Sequence, residues 1–303
     1  MVKTKPILKW VGGKTQILDT LMTKFPSHMV NYHEPFVGGG SVLLALLTQL
    51  RENHIHVEKH IFAYDANEPL IGLYKNIQTR HEELYIYLQN MIEEFHPLTE
   101  GLRETYYYEK RTQYNELSNS EKIEIMGSAL FLFLNKTCFR GMYRVGPHGF
   151  NVPYGNNKNP EIINKEHLNK IHELIQPVVF ECCDFTVALS KIAEGDFVYL
   201  DPPYAPETAT SFVKYTQNGF SENHHRDLFA LIHSLTQKNI KMLLSNADVD
   251  IVRENFASSH YTMDSLLCKR LIHSKKPTSM AKEVIVSNWT PSQLLIHSFS
   301  LSK

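Results

Sequence analysis

Apolar residues recur along this chain with two different periods. Short runs near Val30 to Glu34, Ile61 to Asp65, Val178 to Cys182, Phe197 to Asp201, Ile240 to Ser245, Tyr261 to Leu267 and Val284 to Asn288 read as strands. Helical stretches such as Ser41 to Leu50 separate them. This alternation predicts an α/β fold built on one mostly parallel, doubly wound sheet. The alternation stops between about Lys75 and Ile163. There Glu82 to Glu94, Leu102 to Leu117 and Glu121 to Leu134 suggest three helices, and Asn135 to Pro160 is rich in the glycine, asparagine and proline of loops. Strands from both sides of this block belong to one sheet. The expected organisation is therefore a discontinuous domain, residues 1–74 and 164–303, with a small helical domain, residues 75–163, inserted into it.

Composition narrows the class without choosing a function. With 303 residues, 43% hydrophobic and 21% charged, the chain is ordinary for a globular protein with a real core. No apolar run approaches a membrane span, and the lysines and glycines within Met1 to Lys14 break up any signal-peptide core. The four cysteines, Cys138, Cys182, Cys183 and Cys268, lack metal-ligand spacing and read as reduced thiols of a cytosolic or nuclear protein. The pairs His54/His56 and His224/His225 have no acids or cysteines to complete a site, so no metal is expected.

Charge is informative through its distribution. The net charge is −1, yet no Asp or Glu occurs between Glu124 and Glu161, where Lys136, Arg140, Arg144 and Lys158 alternate with Phe139, Tyr143 and Tyr154. A second acid-free window, between Asp264 and Glu283, holds Lys269, Arg270, Lys275, Lys276 and Lys282. Two basic stripes on a nearly neutral protein suit a nucleic-acid backbone.

The chemistry concentrates at Asp201-Pro202-Pro203-Tyr204, at the end of the apolar run Phe197 to Leu200. Open α/β sheets carry their active sites at the C-terminal ends of strands. The tetrapeptide offers a carboxylate, carbonyls from residues without N–H groups and a flat ring. That set suits an exocyclic amino group on a planar base: Asp201 and the Pro202 carbonyl accept its two N–H bonds while Tyr204 stacks on the ring. A second motif, Glu34-Pro35-Phe36-Val37-Gly38-Gly39-Gly40, lies between a strand and a helix, where glycines let the backbone approach a ligand. The leading acid favours a cationic, amino-acid-bearing ligand over a pyrophosphate, and the dinucleotide spacing is absent. Asp65 ends the next strand, where such folds place a ribose-binding carboxylate, and it could instead cap the helix begun by Asn67-Glu68-Pro69.

Lys9-Trp10-Val11-Gly12-Gly13-Lys14, the glycine motif, Asp65 and Asp201-Pro202-Pro203-Tyr204, taken in that order, resemble the Dam-type (alpha-ordered, D12 class) DNA adenine-N6 methyltransferases. Leu134 to Arg144 and Phe150-Asn151-Val152-Pro153-Tyr154-Gly155 extend the resemblance, which runs from about Pro6 to Trp289. It implies a Rossmann-like S-adenosylmethionine-dependent methyltransferase sheet, with residues 75–163 as the target-recognition domain. It also implies methyl transfer to N6 of an adenine flipped out of double-stranded DNA, with no covalent enzyme intermediate.

By the same resemblance, Trp10, Lys14, Glu34, Phe36, Gly38, Gly40, Asp65, Asp184, Phe185 and Asp201 hold the cofactor. Asp184-Phe185 would contact its adenine, although Asp184 could equally cap the helix that follows. Phe139 stands where an intercalating aromatic is expected, and Arg144 matches an arginine that reads a guanine. Lys9, Asn135, Lys136, Asn151 and Tyr154 are further candidates for base or phosphate contacts. Arg140 departs from the family's usual asparagine, which leaves GATC as the default palindrome and CATG as its competitor. The rival readings are cytosine-N4 methylation, more often headed by serine, methylation of a protein glutamine, headed by asparagine, and a catalytically dead DNA-binding homologue. The resemblance also suggests a monomer in the cytoplasm and, as a functional partner, a cognate restriction endonuclease.

Overall fold

A computed structural model describes residues 4–205, 220–269 and 280–290. Among these residues a seven-stranded sheet forms from β1 (Tyr32–Glu34), β2 (Ile61–Asp65), β3 (Val178–Cys182), β4 (Phe197–Leu200), β5 (Lys241–Ala247), β6 (Thr262–Lys269) and β7 (Met280–Ser287). Its spatial order is β6-β7-β5-β4-β1-β2-β3. Strands β3, β2, β1, β4 and β5 run parallel, and β7 and β6 are antiparallel additions at one edge. The expected α/β class and mostly parallel sheet are what the chain adopts.

The central strand shows why these residues form this sheet. All four residues of β4 are fully buried, as a strand covered on both faces requires. Phe197 and Tyr199 enter one apolar cluster, and Val198 and Leu200 enter the other. Successive side chains point to opposite faces, so a single run serves two cores. The second core gathers α6 (Phe185–Ser190), α7 (Glu222–Gln237) and α8 (Asp250–Asn255). The first takes α1 (Ser41–Arg51), α2 (Glu68–Phe95) and α5 (Lys165–Leu174).

The inserted block joins that first core. Leu84, Leu88 and Phe95 of α2, Tyr107 and Tyr114 of α3 (Glu100–Glu116) and most of α4 (Ile125–Thr137) lie in the same cluster as the sheet. Helix α2 itself runs from the sheet into the block. It starts at Asn67, whose side chain accepts the Leu70 N–H at 3.1 Å, and bends at Arg80 (φ −139°, ψ 33°). The sequence shows it as two pieces, a start at Asn67-Glu68-Pro69 and the run Glu82 to Glu94, because the bend interrupts the period. The helix expected over Glu121 to Leu134 is two, Asn119–Lys122 and then α4, and Ser118 and Glu121 form a capping box on the first. The expected loop from Asn135 contains a turn at Phe139–Gly141 and a small antiparallel pairing of Val145–Gly146 with Gly149–Phe150. Asn115 on α3 clamps this pairing through both backbone groups of Phe150.

Among the described residues no helix is long and apolar enough to cross a membrane. Within the second basic window, Arg270, Lys275 and Lys276 lie outside the described residues, while Lys282 is exposed.

Gly72 is where α2 meets the inserted block. A Cβ there would stand 2.8 Å from the Ile123 backbone, which has no rotamer to escape by. We expect Gly72→Ala to destabilise the protein. Overpacking costs about 1–3 kcal/mol, against a helix-propensity gain of about 1 kcal/mol. The urea midpoint should fall; an unchanged or higher midpoint would show that the two elements can separate freely.

Candidate active site

Strand order reverses between β1 and β4, and the crevice outside such a reversal is where open α/β sheets bind ligands. The pairings Tyr32↔Phe197 and His33↔Val198 carry Glu34, the last residue of β1, and Asp201, the first residue after β4, to the same end of the sheet. The glycine turn after Glu34 is fixed by β2. Val37 N–H donates to the Tyr64 carbonyl at 2.9 Å, and Gly38 N–H donates to Asp65 Oδ2 at 3.0 Å. Gly38 and Gly40 have φ of +47° and +71°, which favours glycine. Space demands glycine too: a Cβ would stand 2.8 Å from the Trp10 indole at Gly38 and 2.7 Å from the Tyr74 hydroxyl at Gly40. Trp10 and Tyr74 therefore flank the turn, and Tyr74 donates to the Gly38 carbonyl at 3.0 Å.

Three charges meet beyond the strand ends. The Lys14 ammonium, with its side chain 3% exposed, lies 2.6 Å from Asp201 Oδ2 and 4.8 Å from the centre of the Tyr204 ring. It also donates to the Gly12 carbonyl at 2.6 Å. Burial raises the Asp201 carboxyl to about 6, against the pull of Lys14, and Glu283 adds to the rise. Asp201 Oδ1 is buried without a hydrogen-bond partner. Glu34 is raised further, to about 8, chiefly by burial; the Tyr32 hydroxyl, 2.7 Å away, opposes the rise and Asp201 adds to it. At neutral pH Glu34 therefore keeps its proton while Asp201 is largely ionised, an arrangement that separates two neighbouring carboxyls by environment.

The Asp201 to Tyr204 loop is anchored from three directions. His225 Nε2 on α7 stands 3.0 Å from the Pro203 carbonyl, Ala205 N–H donates to Asn246 Oδ1 at 2.9 Å, and the Tyr204 hydroxyl donates to Glu283 Oε2 at 2.6 Å. Of the two proline carbonyls, Pro203 thus faces the scaffold. Beside the loop, Phe36 stacks on Phe185 (5.7 Å between centroids), and Phe220 meets both rings. Asp184 caps α6 through the Thr186 N–H at 2.9 Å, one of the two roles its position allowed. Asp65, the other acid with two readings, leaves the helix cap to Asn67 and accepts from Asn67 N–H at 2.9 Å as well as from Gly38.

Sequence reasoning missed His225, Asn246, Glu283 and Phe220. Asn246 and Glu283 sit at the end of β5 and the start of antiparallel β7, where the pairing Glu283↔Ala247 returns the chain to the active end of the sheet. Only strand direction and register reveal that return.

The expected DNA-facing residues divide into two sets. Phe139 is 41% exposed, and the Arg140 guanidinium lies 5.1 Å from its ring centre, with Arg140 at φ +57°. Arg144 is exposed and held by Asn151, its Nε donating to Asn151 Oδ1 at 2.6 Å. Lys9 and Asn151 are exposed as well, whereas Asn135, Lys136 and Tyr154 turn toward the protein. Asn135 is 4% exposed; it accepts the Lys9 N–H at 2.9 Å and donates to the Lys9 carbonyl at 2.8 Å. Lys9 reaches the Lys136 carbonyl at 3.4 Å, and burial with Lys9 nearby lowers the Lys136 ammonium to about 8. Tyr154 packs edge-on against Phe95 and tilted against Tyr107.

A mostly parallel sheet in this order, with a glycine turn and an acidic proline loop facing each other across its switch point, defines a Rossmann-like methyltransferase. Residues 10–269 match the family described as D12 class N6 adenine-specific DNA methyltransferase, and the chain belongs to that family. It is 35% identical over 298 residues to the Type II methyltransferase M.MjaIII of Methanocaldococcus jannaschii, covering 95% of this chain and 100% of the relative. It is 34% identical over 256 residues to the DNA adenine methylase of Escherichia coli K12, covering 84% of each.

Lys14→Met keeps an apolar stem and removes the charge that opposes the rise of the Asp201 carboxyl. We expect Asp201 to titrate above its value of about 6 in this variant, read from the carboxyl carbon in NMR. An unchanged midpoint would show that the ion pair does not set its charge.

Proposed function

We propose that this protein transfers a methyl group from S-adenosylmethionine to N6 of an adenine flipped out of a short palindromic site in double-stranded DNA. One observation carries the reading: Asp201 Oδ1 is a buried acceptor without a donor, at the switch point, beside an aromatic face. An unsatisfied buried acceptor costs about 1–3 kcal/mol, and the N6–H of a flipped base would satisfy it.

The residues present fit S-adenosylmethionine. Glu34, buried and carrying a proton, would hold the cationic amino end; the glycine turn and Trp10 would border it. Asp65 would meet the ribose, and Phe36, Phe185 and Phe220 with Asp184 would enclose the adenine. Once bound, the cofactor supplies an activated methyl group, so the chain needs no nucleophile of its own. Asp201 and the Pro202 carbonyl orient the target amine, Tyr204 supports the base, and Asp201 Oδ1 is placed to take the proton the amine loses as the methyl group arrives. Flipping costs a few kcal/mol, and the exposed Phe139 would fill the gap it leaves.

We assign residues 75–163 to target recognition, with Arg144 reading a guanine. GATC is the proposed site and CATG its competitor, since Arg140 adds a second exposed guanidinium at the same tip. The enzyme is proposed to act as a monomer, paired functionally with a cognate restriction endonuclease.

The test is methyl transfer from labelled S-adenosylmethionine to unmethylated genomic DNA, with single-molecule sequencing to locate each modified base. We expect N6-methyladenine in one short palindrome, and loss of about a hundred- to a thousandfold in rate for Asp201→Ala with cofactor binding at least partly retained. Label absent from DNA, or placed on cytosine, would overturn the reading.

The raised Glu34 carboxyl adds a pH signature. A cationic ligand favours its ionised form, so cofactor binding near pH 7 should release a proton and tighten as pH rises toward about 8. Calorimetry in buffers of different ionisation heats should detect that proton in the wild type and not in Glu34→Gln. Equal heats in the wild type would place the amino end elsewhere.

A further inference from the structure

Tyr204 is tethered to the sheet at its far end by a residue outside every motif of the sequence. Its hydroxyl lies 2.6 Å from Glu283 Oε2, and Glu283 sits near the start of β7, opposite Ala247 at the end of β5. Burial, with the charges of Asp201 and Glu283, pushes the Tyr204 hydroxyl far above its ordinary range, so it keeps its proton and donates it. On the other side Cys268 of β6 faces the same carboxylate. Its thiol is raised to about 11 by burial and by Glu283. The carboxylate is therefore held between a thiol and a phenol, and its own strand is paired on both sides.

We propose that Glu283 is a positioning residue for Tyr204, fixing where its ring sits against the target base through the phenolic hydroxyl. The inference rests on the reading of Tyr204 as the stacking surface for a flipped adenine. Backbone anchors at Pro203 and Ala205 fix the loop but do not stop the Tyr204 side chain from swinging about its Cα–Cβ bond. A hydrogen bond at the para position stops that swing from the end remote from the backbone. A charged acceptor makes the bond stronger than a neutral pair and enriches the ring in electron density. The base gains positive charge as its amine is methylated, so an electron-rich face stabilises the reacting state more than the bound base. Glu283 should therefore act on kcat, not on capture of the cofactor.

The experiment compares wild type, Glu283→Ala, Glu283→Gln, Tyr204→Phe and the double variant Glu283→Ala/Tyr204→Phe in methyl transfer to DNA. Each enzyme is also titrated onto duplex carrying 2-aminopurine at the target position. We expect Glu283→Ala and Tyr204→Phe each to lower kcat about tenfold or more, with KM for S-adenosylmethionine unchanged. The double variant should be no slower than the slower single one, since both changes remove one bond. Glu283→Gln, which keeps an acceptor and the packing but not the charge, should recover part of the loss. The flipped 2-aminopurine should be brighter in Glu283→Ala than in wild type, because a loosened ring quenches it less. Additive losses, or a Glu283→Ala enzyme with wild-type kcat and wild-type fluorescence, would overturn the proposal and leave adenine methylation intact. A wild-type enzyme that transfers no methyl group to DNA would remove the parent reading and this role together.

Discussion

The ion pair between Lys14 and Asp201 is the contact on which the active end of this molecule depends. Its carboxylate follows the central strand and its ammonium arrives from the N-terminal segment, so the pair closes the chain across the sheet. The Lys14 side chain is buried and that of Asp201 is only partly open to water, and a buried charge is tolerated only with a partner. Lys14 is in turn held by its main-chain N–H on Ser41 Oγ at 3.2 Å, at the start of the helix that follows the glycine turn. The turn, the proline loop and the N-terminal segment are thus organised around one ammonium. That arrangement also explains how two carboxyls coexist at one switch point. Asp201 has the counter-charge within hydrogen-bond distance and remains mostly ionised, whereas Glu34 has a phenol as its direct partner and stays protonated.

Much of this was legible because it follows from local pattern. The run Phe197 to Leu200 is apolar at every position, which suits a strand buried on both faces, and the acid after it lies at the switch point of the sheet. Glycines at 38 and 40 announced a turn where the backbone can come close to a ligand, and both adopt positive φ. What local pattern could not supply was the partner of each group. Glu283 looked like an ordinary surface acid at the end of a basic window, and only antiparallel pairing at the sheet edge brings it to Tyr204. His225 belonged to a histidine pair without metal-ligand spacing, and its ring instead bridges the Pro203 and Ser221 carbonyls. The long helix Glu68–Phe95 was divided in the sequence because Arg80 leaves helical geometry while ion-pairing with Glu83 and Glu124.

The residues proposed to face DNA show the same limit from the other side. Basic and aromatic residues alternate from Lys136 to Tyr154, and composition alone treats them as equivalent. Burial separates them: Phe139, Arg140 and Arg144 project from a turn and a small strand pairing, while Asn135 and Tyr154 are built into the packing beneath. Arg140 holds φ +57°, a conformation a bulky residue adopts at a cost, with its guanidinium against the exposed Phe139 ring. Strain concentrated at an exposed tip is characteristic of surfaces that meet a ligand.

Asn135 matters for a different reason. Its amide bonds to both backbone groups of Lys9, and it also donates to the Gly141 carbonyl at 3.2 Å. Lys9 precedes Trp10, which flanks the glycine turn, and Lys14 lies a few residues farther on, paired with Asp201. One short N-terminal segment is therefore fastened at its start to the Phe139–Gly141 turn and at its end to the Asp201 carboxylate. Gly141 must be glycine for this to hold, because at φ +64° its Cα packs directly on the Lys9 side chain. The inserted helices share a core with the sheet, so this fastening adds no new bulk contact. What it adds is register: the position of the turn bearing Phe139 and Arg140 and that of the ammonium on Asp201 are set by the same stretch of backbone.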